Sequence, residues 1–121
     1  MPTFAELLRE FRQRADLSQR ALAASSAINP AIISRLESED RGPSGPDQVL
    51  AIARALNLGD DDADRLLASA GFWPRTLLAL GPRDRTVLAV ARVLGSSNVA
   101  DPARARFRRA VDILVEQWLE A

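Results

Sequence analysis

The chain has 121 residues, and its 16 basic residues, all Arg, are balanced by 16 Asp plus Glu, so the formal net charge is zero. It contains no His, Lys, Cys or Tyr, which excludes His/Cys metal centres, thiol nucleophiles, Lys Schiff bases, Ser-His-Asp triads and disulfides; neither an enzyme nor a cofactor is expected. No apolar run approaches the roughly 18 residues of a membrane span, and Glu6 and Arg9 charge the N-terminal stretch where a signal peptide is apolar, so a cytoplasmic chain with no membrane association is expected.

The length suits one compact domain, or a small domain with an appended piece, and a chain of this size buries roughly two-thirds of its unfolded surface without staples. Strand signals are missing: aromatic residues make up 5% and no segment alternates apolar with polar residues for long. Helical periodicity is present nearly throughout. Phe4, Leu7, Leu8 and Phe11 recur at i, i+3, i+4 and i+7 and predict a first helix from about Thr3 to Ala15. Ser18 is placed to cap a short second helix through about Ser25, with Leu22 and Ala23 inward. Asn29 caps a third, Pro30 suits its first position, and Ile33 and Leu36 form its inner face.

After the breaker cluster from Arg41 to Pro46, a fourth helix over about Asp47–Leu56 is expected to bury Val49, Leu50, Ile52, Ala53 and Leu56. A fifth begins at Asp60-Asp61-Asp62 and ends near Gly71, with Phe72 and Trp73 closing the unit. Leu77, Leu78 and Leu80 read as a short apolar connector, ended by Gly81-Pro82. A further helix carries Val87, Val90, Ala91 and Leu94, with Gly95 past its end. The last opens with Asp101 as its cap and Pro102 as its first residue. The expected fold is all-α: a five-helix domain over residues 1–74 and a helical extension over 75–121.

Two short helices joined by a tight connection form a helix-turn-helix, whose second helix lies in a DNA major groove. The stretch from Leu17-Ser18-Gln19-Arg20-Ala21-Leu22-Ala23 to Ile32-Ile33-Ser34-Arg35-Leu36-Glu37 has that layout. With the Ala53-Arg54-Ala55-Leu56-Asn57-Leu58 end of the fourth helix, it resembles the lambda-repressor-like, or XRE-type, family of DNA-binding domains over about residues 4–58, more weakly through Pro74. The resemblance implies a regulator that binds double-stranded DNA as a homodimer. It places Ser18, Gln19 and Arg20 at a phosphate-contacting start of the second helix. It places Asn29, Pro30, Ala31, Ile32 and Ser34 at the groove-facing end of the third, with Arg35 one turn on. Ser38 and Arg41 fall where backbone contacts follow. Arg12 and Glu37 match a structural ion pair that bridges helices one and three.

The sequence departs from that pattern in three respects. Pro30, Ala31 and Ile32 stand where polar side chains often read bases, and apolar groups read a thymine methyl and little else. The turn glycine is Ala27, which predicts a slightly different turn. Glu39 and Asp40 precede Arg41 and repel phosphates. Charge is nearly balanced along the chain, with seven Arg and seven acids in residues 1–58, two against four in 59–81, and seven against five in 82–121. No segment has the basic excess of a strong non-specific binder, although Arg9, Arg12, Arg14, Arg20, Arg35 and Arg41 are open to clustering on one face. The alternative reading is a non-catalytic interaction module, adaptor or antitoxin-like, that uses the same scaffold on a protein partner.

Asp60, Asp62 and Asp64 have the 1-3-5 spacing of a calcium loop, but Arg65 and Gly71 occupy its obligatory Gly and Glu positions. No metal is expected, and the acids complement the helix dipole instead. In the last helix, Phe107, Val111, Leu114 and Trp118 form a stripe at i, i+4, i+7 and i+11, broadened by Ile113, Val115 and Leu119. So wide an apolar face predicts two contacts, one with the preceding helix and one with the N-terminal unit or a second subunit. Phe107, Val111, Leu114, Val115 and Trp118 are the expected dimerisation residues. Arg108 with Asp112, and Arg109 with Asp112 or Glu116, are expected to pair along a solvated face.

Overall fold

A computed structural model describes residues 1–120. Its elements are α1 (Phe4–Arg14), α2 (Gln19–Ser26), α3 (Pro30–Glu37), α4 (Pro46–Ala55), α5 (Asp60–Ser69), α6 (Arg75–Leu80), α7 (Arg85–Leu94) and α8 (Asp101–Leu119). The fold is all-helical. The chain falls into two compact units, Met1–Ala79 and a second from Leu80 onward.

In the first unit the starts of α1, α2 and α3 are each set by a local donor–acceptor exchange. The Thr3 hydroxyl accepts from the Glu6 amide while the Glu6 carboxylate accepts from the Thr3 amide, a complete capping box on α1. Ser18 caps α2 by accepting from the Ala21 amide, and Asn29 caps α3 by accepting from the Ala31 amide at 2.8 Å. Pro30 and Pro46 occupy first-turn positions whose missing amide costs nothing.

Helix ends follow one rule five times over. Asp16, Ala27, Glu39, Asn57 and Gly71, just past α1 to α5, all have positive φ. The next amide in each case returns to the carbonyl five residues back: Leu17 to Arg12, Ile28 to Ala23, Asp40 to Arg35, Leu58 to Ala53 and Phe72 to Leu67. These are Schellman closures, and they satisfy carbonyls that the helix leaves orphaned. In four of the five the residue after the left-handed one is apolar and packs on the core: Leu17, Ile28, Leu58 and Phe72. Only one uses glycine. Ala27 at φ 58 therefore holds the left-handed geometry itself, and the altered turn expected from its side chain is not needed.

The core gathers Phe4, Leu7, Leu8 and Phe11 from α1, Leu22 from α2, Ile33 and Leu36 from α3, Val49 and Ile52 from α4, and Leu66 and Leu67 from α5. Leu50, expected inside, is only partly buried. α1 packs on both α3 and α5, and α4 bridges α2 and α5. Phe72 packs on the core, but Trp73 is 48% exposed, so Phe72 alone closes that end. Residues 75–80 are helical rather than a connector. The Arg75 amide and Nε donate to Asp64, its Nη1 pairs with Asp60 at 3.1 Å, and Leu78 reaches the core. Asp62 meets Arg14 and Arg65, so three of the acids that open α5 are engaged by guanidinium groups.

In the second unit Asp84 caps α7 by accepting from the Thr86 and Val87 amides. α8 is capped at Ala100, so Asp101 and Pro102 lie within its first turn, one position inside the expected boundary. Arg104 pairs with Asp101 and donates to the carbonyls of Ser96 and Val99, which ties the loop to the helix. No residue of α7 or α8 is fully buried. Phe107 and Val111 are half-buried beside Val90 and Leu94, while Ile113, Leu114, Val115, Trp118 and Leu119 are exposed. The expected pairs of Arg108 or Arg109 with Asp112 or Glu116 do not form: the intrahelical ion pair of α8 is Arg104–Asp101.

Candidate nucleic-acid interface

The connection from α2 to α3 is only three residues, Ala27, Ile28 and Asn29. The left-handed Ala27 turns the chain, Ile28 drops onto the core, and Asn29 restarts the helix. The orientation of α3 is then fixed from its far end by Glu37. This carboxylate is 3% exposed and receives a bidentate guanidinium, with Arg12 Nε at 2.7 Å from Oε2 and Nη2 at 2.9 Å from Oε1. The third donor of Arg12, Nη1, reaches the Leu17 carbonyl at 2.9 Å. One side chain thus joins α1, the start of α2 and the end of α3. The hydrogen bond to Glu37 raises the Arg12 pKa further above its ordinary value, outweighing the opposing effect of burial.

A family model for a helix-turn-helix domain matches residues 3–66, more than half of the chain, and its bounds enclose α1 to α4 and most of α5. The chain belongs to the helix-turn-helix domain family. Comparison with curated proteins and with solved structures returned no match.

On the helix-turn-helix, burial of Ile33, Leu36 and Glu37 turns the opposite side of α3 outward. Pro30, Ala31, Ser34, Arg35 and Ser38 are exposed along that side. Ile32 is not among them: it is partly buried against the core, which leaves only its edge at the surface. The Asn29 carbonyl oxygen is committed to its cap, and its side-chain amide stays available as a donor. The Ser38 hydroxyl is committed too, lying 3.2 Å from the Arg35 carbonyl and 3.0 Å from the Asp40 carboxylate. Ser18 spends its acceptor on the α2 cap, and half-buried Gln19 is the first residue of that helix. Arg20 shares an open depression with Ala24, Asn29 and Pro30, so it belongs to the α2–α3 surface.

The six arginines of this region do not form one cluster. Arg9 donates to the Glu37 carbonyl at 2.6 Å, Arg12 is consumed by Glu37, and Arg14 lies between Glu10 and Asp62 while resting over the Phe11 ring. Among the described residues Arg20, Arg35 and Arg41 form no ion pair. Arg41 lines a shallow depression with Thr3, Phe4, Leu36 and Glu39, beside the start of α1. Glu39 is drawn toward α1 by the Thr3 hydroxyl, which donates to it at 3.0 Å. Sequence reasoning missed the role of Arg9. Its position one turn before Arg12 was the available signal, since residues three apart share a helix face.

Proposed function

We propose that the chain is a sequence-specific transcriptional regulator, a repressor, that binds a palindromic operator as a homodimer through α3. The observation that carries this reading is the sorting of arginines within a helix-turn-helix domain. Those on α1 are neutralised by acids, whereas Arg20 on α2 and Arg35 on α3 are exposed with no acidic partner among the described residues. A guanidinium held clear of carboxylates keeps its charge for phosphate or for a guanine edge. Ser18, Gln19 and Arg20 approach backbone, and Pro30, Ala31, Ser34 and Arg35 enter the groove with the edge of Ile32 and the amide of Asn29. Ser38 and Arg41 lie along the flanking strand. Two such helices in a dimer address half-sites about 34 Å apart. Zero net charge means that little general affinity for DNA accompanies this contact. The protein is read as cytoplasmic and non-catalytic, with no cofactor; no described helix is long and apolar enough to cross a membrane.

The test is a duplex titration at low salt. Gln19→Ala is expected to weaken binding to all sequences alike. Arg35→Ala is expected to cost about 1–3 kcal/mol at preferred sites and to relax preference there. Binding by both variants equal to that of the parent would remove α2–α3 as the docking face. A second reading, a protein-interaction module, is favoured by one observation: Pro30 and Ala31 present apolar groups at the first turn of α3, and Glu39 and Asp40 are exposed just past its other end. Selection from random duplexes at two salt concentrations separates the two, because only a DNA regulator yields both sequence enrichment and a salt slope.

A further inference from the structure

The six residues of α6, Arg75–Leu80, are too few to stand as a helix alone. Isolated helices under roughly 12–15 residues are marginal in water, so α6 is helical only while something holds it. What holds it is small and largely ionic. None of its residues is fully buried, and of its three leucines only Leu78 packs on the core. The rest of the attachment is Arg75. Its backbone amide donates to Asp64 Oδ1 at 3.0 Å, its Nε donates to the same oxygen at 3.2 Å, and its Nη1 lies 3.1 Å from Asp60. Asp64 thus caps α6 as Ser18 caps α2, but from a different helix, 11 positions back in the chain. All three side chains keep access to water: Arg75 is 34% exposed, Asp64 33% and Asp60 84%. Beyond the helix, Gly81 at φ 88 and then Pro82 stop it from gaining length on that side.

We propose that α6 is a releasable strap. It docks and becomes helical together with the Arg75–Asp64 contact, and it comes away as one unit while α1 to α5 stay folded. The contributions that close it are modest: a cap, an exposed ion pair and one half-buried leucine each shift an equilibrium by about tenfold or less in the usual case. Against them stands the ordering of six backbones. Segments with few buried contacts open at free energies well below that of global unfolding. α6 belongs at that end, whereas α1 to α5 each carry fully buried residues. Release has two consequences. Leu78 leaves the core, and the tether to the residues that follow lengthens, because six helical residues span about 9 Å and the same six extended span up to about 20 Å. The fastening is ionic and partly exposed, so salt loosens it. This inference stands apart from the DNA-binding reading and needs no ligand.

Native-state amide exchange on the full-length protein reads the strap directly, through the amides of Leu78, Ala79 and Leu80; that of Leu78 bonds to the Pro74 carbonyl at 3.0 Å. These amides are expected to exchange at least about tenfold slower than in an unstructured chain, yet at least about 100-fold faster than core amides such as those of Leu8, Ile33 and Ile52. Their rates should respond little to low urea, because release exposes little surface. Asp64→Ala removes both cap and ion pair and is expected to speed α6 exchange about tenfold. Asp64→Asn keeps an oxygen that can accept from the Arg75 amide, and should fall between that variant and the parent. Raising salt from about 0.05 M to about 0.5 M should speed α6 exchange in the parent, and less so in Asp64→Ala. Exchange as slow as in the core, with the same urea dependence, would show that α6 opens only with the whole domain and would overturn the proposal. Exchange as fast as in an unstructured chain would overturn it from the other side, since nothing would dock. Equal α6 rates in the parent and in Asp64→Ala, with both folded by circular dichroism, would remove Asp64 as the fastening. If Asp64→Ala does not fold, the salt series on the parent decides, and α6 rates unchanged across it would overturn the ionic strap.

Discussion

Arg12 and Ala27 show how much of the α2–α3 geometry rests on single side chains. Glu37 is almost wholly enclosed, with Arg12 supplying both of its short contacts. Arg12→Ala leaves that carboxylate buried and uncompensated, a situation that costs about 3–5 kcal/mol. Urea unfolding at neutral pH is expected to show a loss of that size, and a loss below about 1 kcal/mol would mean that Arg9 or water takes over. Ala27 carries the opposite prediction. Its left-handed backbone costs an L-residue about 1–2 kcal/mol, part of which glycine returns as chain entropy. Ala27→Gly is expected to raise unfolding stability by about 0.5–1 kcal/mol with the α2–α3 connection intact. No change would mean that surrounding packing already relieves the strain.

Among the elements, α2 and α5 differ in one respect that makes a comparison possible. Ser18 precedes α2 at φ −75, ψ 165 and bonds into the first turn, whereas Gly59 precedes α5 at φ −69, ψ 172 with no side-chain cap. A Cβ at Gly59 meets nothing within 4 Å. Gly59→Ser should therefore add the missing acceptor and stabilise the domain by a few tenths of a kcal/mol, read as a rise in the unfolding midpoint. The elements that sequence reveals well are those that carry both a cap and a stripe. α1 to α5 each bury apolar residues in a helical pattern, and most start at a residue with a recognisable reason to be there. α6 has neither. Its three leucines within six residues carry no period, and Arg75 is ordered by Asp60 and Asp64, more than ten positions away in the chain. The α2–α3 surface was legible as an order of residues for the same local reasons. Which arginines stay free was not legible, because Glu37 and Asp62 select their partners across 25 and 48 positions.

For the whole molecule, the division at Ala79 and Leu80 separates two kinds of packing. The first unit has a closed core, whereas none of the described residues of the second is fully buried. A unit with so little of its own interior has little apolar burial to hold it together. On the proposed reading of a dimeric regulator, a chain ending at Ala79 is expected to keep cooperative unfolding and to be monomeric by light scattering, with weaker affinity for DNA than the full chain. If the shortened protein is as dimeric as the parent, the subunit contact lies within residues 1–79.

The packing of α1 on α5 has a consequence for connectivity. Met1 and Pro2 line one depression with Ala68 and Ser69, so the two ends of the five-helix domain meet, and its helices are arranged as a closed ring that the polypeptide happens to enter at α1. A short linker across that junction, with the ring reopened in the exposed stretch after Arg41, would give a circularly permuted domain with the same neighbours throughout. Order along the gene and order in space are therefore separable here. Any segment fused before α1 leaves the domain from the same place as the segment that follows α5.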